Sequence, residues 1–254
     1  MRLDVAFTPL GLAPADVQGR TVFVIDVLRA TTTICAALHH GARAVIPTGS
    51  TEEAMKLAQT LGSADVLLAG ERNTERIPGF ALGNSPLEMT EAVVKGKTLV
   101  MTTTNGTRAL LATAGARESY LVCAANFSVA GARAMAALEE HGDLLIVCAG
   151  TDHQFALDDA YAAGRLVLAA QGGRRRRRGL NDAALASLDL VRRYGTAWAR
   201  AFAASRAGRE LAKRGFKEDV LAAAREDAWP VLPIFHERRV TLAPTPAPLP
   251  ADSA

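Results

Sequence analysis

IDVLRATTT, residues 25–33, is the stretch that decides the fold: an apolar strand runs into polar residues and an arginine, and then into an apolar helix. TTTNGTR, residues 102–108, repeats this layout. The preceding strands are predicted at 22–25 and 98–101, and the following helices at 32–39 and 107–112. In an open α/β sheet, ligands collect beyond the carboxyl ends of the strands, where helix N-termini favour anions. Both segments are therefore candidate sites for a phosphate or sulfonate, with arginine and threonine as donors.

Apolar stretches of strand length alternate with helical patterns along most of the chain, which is typical of α/β organisation. Further strands are predicted at 5–7, 44–46, 66–69, 119–123 and 144–148. Further helices are predicted at 51–61, 86–94, 128–140, 158–170 and 182–193. After residue 182 the pattern is almost wholly helical as far as Trp229-Pro230.

Composition excludes several classes of protein. The 254 residues suffice for one large domain or two small ones. No apolar run reaches about 18 residues, and the N-terminus lacks a secretory pattern, so we expect no membrane span and a cytoplasmic protein. The three cysteines, Cys35, Cys123 and Cys148, lie in apolar surroundings, which indicates reduced thiols.

The net charge of +3 is concentrated in the arginine run 174–178, which glycines bracket. A solvated loop and a contact with a phosphate backbone are both compatible with such a run. Because aromatic residues make up only 5% of the chain, we expect no nucleic-acid partner. Residues 241–254 are rich in proline and are predicted to be a disordered, dispensable tail. Residues 1–240 form the folded unit, with a possible subdomain division near 120–150, and a homodimer is also possible.

Polar residues follow four of the predicted strands: Asp26 and Arg29, Glu71 and Arg72, residues 103–108, and residues 150–153. If the strands are parallel, these ends converge on one site. Carboxylates beside arginines and hydroxyls suit a site that holds Mg²⁺ and an anionic substrate together. The alternative is a set of strand-end caps and surface ion pairs.

Two helix starts carry further candidates. Ser85, Pro86 and Glu88 have the pattern of a capping box, after a loop with two glycines that could approach a ligand closely or form an ordinary turn. Asp158 and Asp159 open another helix. They either complement its dipole or point into the site as metal ligand or base.

The order of these motifs resembles the 2-phosphosulfolactate phosphatase family, which is linked to coenzyme M biosynthesis. The motifs that carry the resemblance are IDVLRATTT (25–33), GER (70–72), GF-x-LGNSP (79–86), TTTNGTRAL (102–110), CAGT (148–151), F-x-LDD (155–159) and the weaker GF-x-x-D (215–219). The resemblance implies a three-layer α/β/α fold with a parallel or mixed sheet. It also implies a Mg²⁺-dependent phosphomonoester hydrolase that converts 2-phospho-3-sulfolactate to 3-sulfolactate and phosphate.

The predicted site residues follow from the motifs. Catalytic roles are assigned to Asp26, Arg29, Glu71 and Arg72, and metal ligation to Asp26, Glu71 and Asp158. Binding of the small anionic substrate is assigned to Thr31, Thr32, Asn84, Ser85, Thr103, Thr104, Asn105, Arg108 and Thr151. The chain departs from the family pattern at Ala81, where aspartate is usual, at Ala207, where histidine is common, and at His153, where a small residue is expected. A related 2-hydroxy acid phosphate is therefore an alternative substrate.

Two mechanisms remain open: Asp26 attacks phosphorus itself, or it binds the metal while water attacks. We favour the second. Leu28 stands where the Asp-x-Asp phosphatases need their second aspartate, and Gln154 stands where a cysteine phosphatase with Cys148 would need arginine. The arginines are predicted to divide their work, with Arg29 on the phosphoryl group and Arg108 on another anion. The alternative function is a non-catalytic protein that binds a phosphorylated or sulfonated acid.

Overall fold

The computed structural model describes residues 1–62, 64–174 and 177–244. Within these residues the strands are β1 (Arg2–Ala6), β2 (Thr21–Ile25), β3 (Ala44–Pro47), β4 (Val66–Arg72), β5 (Glu75–Arg76), β6 (Thr98–Thr102), β7 (Glu118–Val122), β8 (Asp143–Cys148), β9 (Pro233–His236) and β10 (Arg239–Leu242). The α-helices are α1 (Pro14–Val17), α2 (Ala30–His39), α3 (Thr51–Leu61), α4 (Glu91–Val94), α5 (Gly106–Leu111), α6 (Phe127–His141), α7 (Leu157–Ala170), α8 (Asp182–Tyr194), α9 (Trp198–Ala204), α10 (Arg206–Lys213) and α11 (Lys217–Ala223).

All ten strands form one mixed sheet in the order β1-β8-β2-β7-β9-β10-β3-β6-β4-β5. β1, β8, β2 and β7 form one parallel group, and β3, β6 and β4 form another. The antiparallel hairpin of β9 and β10 lies between them, paired with β7 on one side and with β3 on the other. Within the described residues, the sheet joins the two parallel groups only through the hairpin of β9 and β10.

Helices cover both faces of the sheet, which makes a three-layer α/β fold with a helical C-terminal part. One apolar cluster combines β1, β2, β7 and β8 with α6, α7, α8 and the later helices. A second cluster contains Val24 and Leu121 from one parallel group, Val45 and Leu99 from the other, and Leu110 of α5. Side chains of both parallel groups thus share one apolar core on this part of the sheet.

The seven predicted strands are all present, and the sequence pattern missed β5, β9 and β10. The last two are short and follow a long helical stretch, where nothing local marks a return to the sheet. The predicted helix 86–94 is wrong: a 3-10 turn spans Pro86–Glu88, and α4 begins only at Glu91. The capping box is also wrong. Ser85 does cap this turn, but the Glu88 carboxylate accepts from the Gly83 N–H at 2.5 Å rather than from Ser85.

The region of the predicted subdomain division and the start of the predicted tail both contain strands of the sheet. The region 120–150 contains β7 and β8, which pair with the N-terminal strands β1 and β2. Thr241 and Leu242 of the predicted tail belong to β10, and residues 245–254 lie outside the described residues. Arg175 and Arg176 of the arginine run also lie outside them. In the described part of the chain, no helix is long and apolar enough to cross a membrane.

Candidate active site

A cavity of about 380 Å³ opens where the carboxyl ends of β2, β4, β6 and β8 come together. The loops after these four strands all contribute to its wall, and helix α10 closes one side. The predicted residues that line it are Asp26, Arg29, Glu71, Asn84, Thr103, Thr104, Asn105 and Thr151. The expected convergence of strand ends therefore brings these eight residues to one cavity.

Asp26 lies at the end of β2 and is 7% exposed. Its Oδ1 accepts from the Ala30 N–H at 3.2 Å, which caps the start of α2. A Cβ at Gly106 would come within 2.6 Å of Asp26 Oδ2 and 2.4 Å of the Ala30 Cβ. Only glycine fits there, and this close approach brings the second motif against the first.

Glu71 organises two loops of the cavity wall. Its Oε2 accepts from the Thr74 N–H and its Oε1 from the Thr104 N–H, each at 2.8 Å. Asn73 and Thr74 form the two-residue turn between β4 and β5, and both have positive φ, 53° and 71°. A β-branched residue is rarely found in this conformation and costs about 1–3 kcal/mol there. Glu71 thus helps to hold a strained turn at the edge of the cavity.

Arg29 is buried, at 3% exposure, and is held from three directions. It donates to Asp219 Oδ2 at 2.7 Å and to the Thr74 carbonyl at 3.0 Å, and it lies 4.5 Å from the centre of the Phe216 ring. Ser85 donates to the other oxygen of Asp219 at 2.8 Å. Asp219 and Phe216 belong to the GF-x-x-D motif at the start of α11. That motif was quoted from the sequence, but no role in the site was assigned to Asp219.

Three buried carboxyl groups influence one another at the base of the site. Burial raises the pKa of Asp26 to about 7, and the nearby carboxylates of Asp158 and Glu71 add to this rise. Burial also raises the pKa of Asp158 to about 6, and it raises that of Asp159 with help from Asp158 and Asp26. Of the three, Asp26 lines the cavity, and a carboxyl group with a perturbed pKa in a cavity is typical of functional sites.

Asp159 does not cap its own helix. Its Oδ1 accepts from the Val27 N–H and its Oδ2 from the Gly150 N–H, each at 3.0 Å. It therefore ties the loop after β2 to the loop after β8. Asp158 is buried beside it and does not line the cavity.

Several oxygens near the cavity lack a partner within the protein. The following side-chain oxygens are buried and make no hydrogen bond: Oγ1 of Thr74, Oδ1 of Asn84, Oγ1 of Thr104 and Oδ1 of Asp158. Oxygen ligands suit Mg²⁺, which proteins commonly hold through one or two carboxylates together with water and substrate phosphate. Among the described residues, no three His, Cys, Asp or Glu side chains form a preformed metal cluster. The donor set thus fits Mg²⁺ held by few carboxylates and neutral oxygens.

Besides Asp158, five further predicted site residues do not line the cavity. Thr31 and Thr32 donate their hydroxyls to backbone carbonyls at the start of α2, and Ser85 donates to Asp219. Arg72 donates to its neighbour's carbonyl and to Thr102 Oγ1. Arg108 lies 3.0 Å from His153 Nε2 on the exposed side of α5. The structure therefore gives these residues local contacts in place of a position on the wall.

Helix α10 supplies a wall that the sequence did not predict. Arg206, Glu210 and Arg214 face the cavity at a spacing of four residues, with Ala207 and Leu211 between them. Residues four apart lie on one face of a helix, so the sequence does indicate that these three side chains share a face. Nothing in the sequence shows that this face meets the strand ends. Asn73, Thr74 and Asp152 also line the cavity. Of the three departures from the family pattern, only Ala207 does so.

The chain is similar over most of its length to proteins of one family. The sequence profile of a family described as 2-phosphosulpholactate phosphatase matches residues 7–238. The chain is 43% identical over 234 residues to a probable 2-phosphosulfolactate phosphatase of Symbiobacterium thermophilum, covering 92% of this chain and 99% of that protein. A protein with the same description from Thermotoga petrophila is 36% identical, over 91% of this chain and 94% of its own length. Another from Clostridium novyi is 33% identical, over 95% of this chain and 100% of its own length. The chain therefore belongs to the 2-phosphosulpholactate phosphatase family.

Proposed function

We propose that this protein is a Mg²⁺-dependent phosphatase that hydrolyses 2-phospho-3-sulfolactate, or a related 2-hydroxy acid phosphate, to the hydroxy acid and phosphate. The observation that carries the proposal is the cavity at the strand ends, where Asp26, Arg29 and unpartnered oxygens meet in a chain of this family. Catalysis of phosphoryl transfer requires positioned groups that stabilise charge on the phosphoryl oxygens and an in-line nucleophile.

The residues on the wall divide these tasks. Arg29 uses two of its N–H groups for Asp219 and Thr74, and its remaining N–H groups can donate to a phosphoryl oxygen in the cavity. Thr103 and Asn105 provide neutral donors on the same wall. Because Arg29 is anchored before substrate arrives, its charge needs no reorientation during the reaction.

Asp26 lines the cavity at the end of β2 and has a raised pKa, so we place it at the centre of the proposed reaction. Its pKa of about 7 belongs to the metal-free protein, where burial opposes its charge. We propose that it binds Mg²⁺ together with the oxygens of Asn84 and Thr104, while Asp158 and Glu71 contribute negative charge nearby. Bound there, the ion would supply Lewis-acid stabilisation of the phosphoryl oxygens. We favour water as the nucleophile, with the Asp26 carboxylate on the metal.

A phosphate-release assay tests this function. We expect turnover of 2-phospho-3-sulfolactate with Mg²⁺, its loss with a chelator, and its loss in Asp26→Asn. Calorimetry without substrate checks the metal separately: Mg²⁺ binding should release protons near pH 6 and weaken at least tenfold in Asp26→Asn. Failure to hydrolyse this ester, 2-phospholactate and phosphoglycolate, with folded protein and metal, would contradict the proposal. Binding of these acids without turnover would favour the non-catalytic alternative.

We also propose a cytoplasmic location and a role in coenzyme M biosynthesis. Cys35, Cys123 and Cys148 are free and buried, which supports a reducing compartment. The homodimer and the absence of a nucleic-acid partner stay predictions.

A further inference from the structure

We propose that Arg206 of α10 and Arg214, which directly follows this helix, form the subsite that binds the sulfonate of the substrate, and so select sulfonated over non-sulfonated 2-hydroxy acid phosphates. This inference rests on the proposed function. It replaces the prediction that Arg108 holds the second anion, because Arg108 contacts His153 and does not line the cavity.

The charges of the cavity are unevenly distributed. At its inner end lie the carboxylates of Asp26 and Glu71, and the charge of Arg29 is balanced by Asp219 at 2.7 Å. At its outer edge lie Arg206 and Arg214, whose side chains are 65% and 44% exposed. Among the described residues, a substrate that places its phosphate at the inner end therefore meets weakly paired positive charge only at Arg206 and Arg214.

The present partners of these arginines hold them loosely. Arg206 lies 3.5 Å from Asp152 and Arg214 lies 3.4 Å from Glu75, and both carboxylates are well exposed. Long, exposed ion pairs contribute little and are easily exchanged for another anion. Glu210, which lies between the two arginines, pairs with Lys213 at 3.2 Å. A bound sulfonate can thus take the place of Asp152 and Glu75 without leaving a buried charge unpaired.

The helix that carries the arginines is fixed in place. Ser205 caps it by accepting from the Gly208 N–H at 2.9 Å, and a Cβ at Gly208 would lie 2.0 Å from the Phe202 carbonyl oxygen. α10 therefore packs directly on the backbone of α9 and presents the opposite stripe to the cavity. Ala207 and Leu211 provide an apolar surface between the arginines, against which the methylene group next to a sulfonate can pack.

The choice of the sulfonate follows from the shape of the substrate. In 2-phospho-3-sulfolactate the carboxylate is attached to the carbon that carries the phosphate, whereas the sulfonate is one carbon farther away. The sulfonate therefore reaches farther towards the outer wall. Its three oxygens can accept from two guanidinium groups at once, and arginine supplies several N–H donors in a fixed plane.

Kinetics with a matched pair of substrates test the subsite. 2-Phospholactate retains the phosphate and carboxylate of 2-phospho-3-sulfolactate and lacks the sulfonate. For Arg206→Gln and Arg214→Gln we expect the KM for the sulfonated ester to rise about tenfold or more, with kcat little changed and with the KM for 2-phospholactate within about twofold of the parent value. Arg209→Gln is the control, since Arg209 is an exposed arginine of the same helix that does not line the cavity.

Binding of 3-sulfolactate, measured by calorimetry, gives a readout that does not require turnover. It should weaken in both cavity variants and stay unchanged in Arg209→Gln. Equal losses for both substrates, or unchanged kinetics in both variants, would overturn the sulfonate subsite while leaving the phosphatase intact. If the parent hydrolyses neither ester, the proposed function fails. In that case weaker binding of 3-sulfolactate to the variants would still support the subsite, and unchanged binding would overturn it.

Discussion

Asp26 has surroundings that oppose its own charge. It is buried, and the carboxylates of Asp158 and Glu71 lie close enough to raise its pKa further. Its backbone contacts, by contrast, are ordinary: Oδ1 caps α2 through Ala30. A carboxyl group of this kind reduces stability when it is ionised, and a cation in the cavity would relieve that cost.

The pH dependence of stability should reveal this carboxyl group. Because the pKa of Asp26 is higher in the folded protein, about 7 against 3.8, the folded state binds more protons between these values. The free energy of unfolding of the metal-free protein should therefore fall as pH rises from about 4 to 7, and Asp158 should add to the lower part of this range. Urea unfolding with a chelator across this range measures it.

Asp26→Asn should flatten this profile and leave the protein more stable than the parent at pH 8, because it removes the ionisable group. Asp189→Asn is the control, since Asp189 is 69% exposed on α8. If the profiles of Asp26→Asn and the parent run parallel, Asp26 ionises in the folded protein as easily as in the unfolded chain.

At the scale of elements, single carboxylates join segments that are distant in the chain. Glu71 connects the β4–β5 turn to the loop after β6, and Asp159 connects the loops after β2 and β8. Asp219 brings the start of α11 to Arg29 and Ser85. The cavity wall is thus assembled by charge-assisted hydrogen bonds to loops, which are among the stronger polar contacts in proteins.

Glu71→Gln tests whether Glu71 has this structural role. A glutamine has only one acceptor oxygen, so the N–H of Thr74 or Thr104 would lose its partner, and we expect a loss of about 1–3 kcal/mol in the free energy of unfolding. Glu75→Gln, in the exposed strand β5, should change stability by less than about 0.5 kcal/mol. A fully stable Glu71→Gln that loses Mg²⁺ binding would show that Glu71 is a metal ligand and not a structural link.

Asp219→Asn should be more disruptive than Ser85→Ala. The first leaves the Arg29 guanidinium, 3% exposed, without its counter-charge, and removing one partner of such a pair costs about 3–5 kcal/mol. The second removes two hydrogen bonds, the one to Asp219 and the cap on the Leu87 N–H, each worth about 1 kcal/mol. Urea unfolding compares the two variants. Equal effects would mean that Phe216 and Thr74 suffice to hold Arg29.

At the scale of the whole molecule, the last described strands complete the sheet. β9 and β10 lie between the two parallel groups, and Val240 of β10 pairs with Val45 of β3. Val240 and Phe235 are also buried in the cluster that both groups share. The chain thus closes its core with a hairpin near its C-terminus.

Truncation should separate this hairpin from the proline-rich tail. A chain ending at Pro244 should keep the parent melting temperature and activity, whereas a chain ending at Arg238 should lose cooperative unfolding, because it lacks β10. Thermal unfolding followed by circular dichroism measures both. The sequence predicts that everything after Thr241 is dispensable. The structure moves that limit to Pro244, since Leu242 pairs with Pro233 and the Ala243 N–H donates to the Leu232 carbonyl. A stable, cooperative chain ending at Arg238 would contradict the role of the hairpin.

Local sequence patterns determined the seven strands of the two parallel groups, most helices and the polar residues after the strand ends. These features depend on neighbours a few residues apart, so hydrophobic periodicity and capping residues predict them. The residues at strand ends then share a cavity as a consequence of the α/β topology. This is why Asp26, Glu71, Thr104 and Thr151 could be placed together from the sequence.

Only the tertiary structure decided which side chains face the cavity and how the sheet is joined. Arg108 lies near a predicted helix start and Arg206 lies in the helical stretch predicted after residue 182, and nothing local distinguishes the one that contacts His153 from the one that lines the cavity. The position of β9 and β10 within the sheet and the pairing of Arg29 with Asp219 link residues far apart in the chain. Such contacts are set by the packing of whole elements on one another, because burial and charge pairing are satisfied only once the distant segments meet.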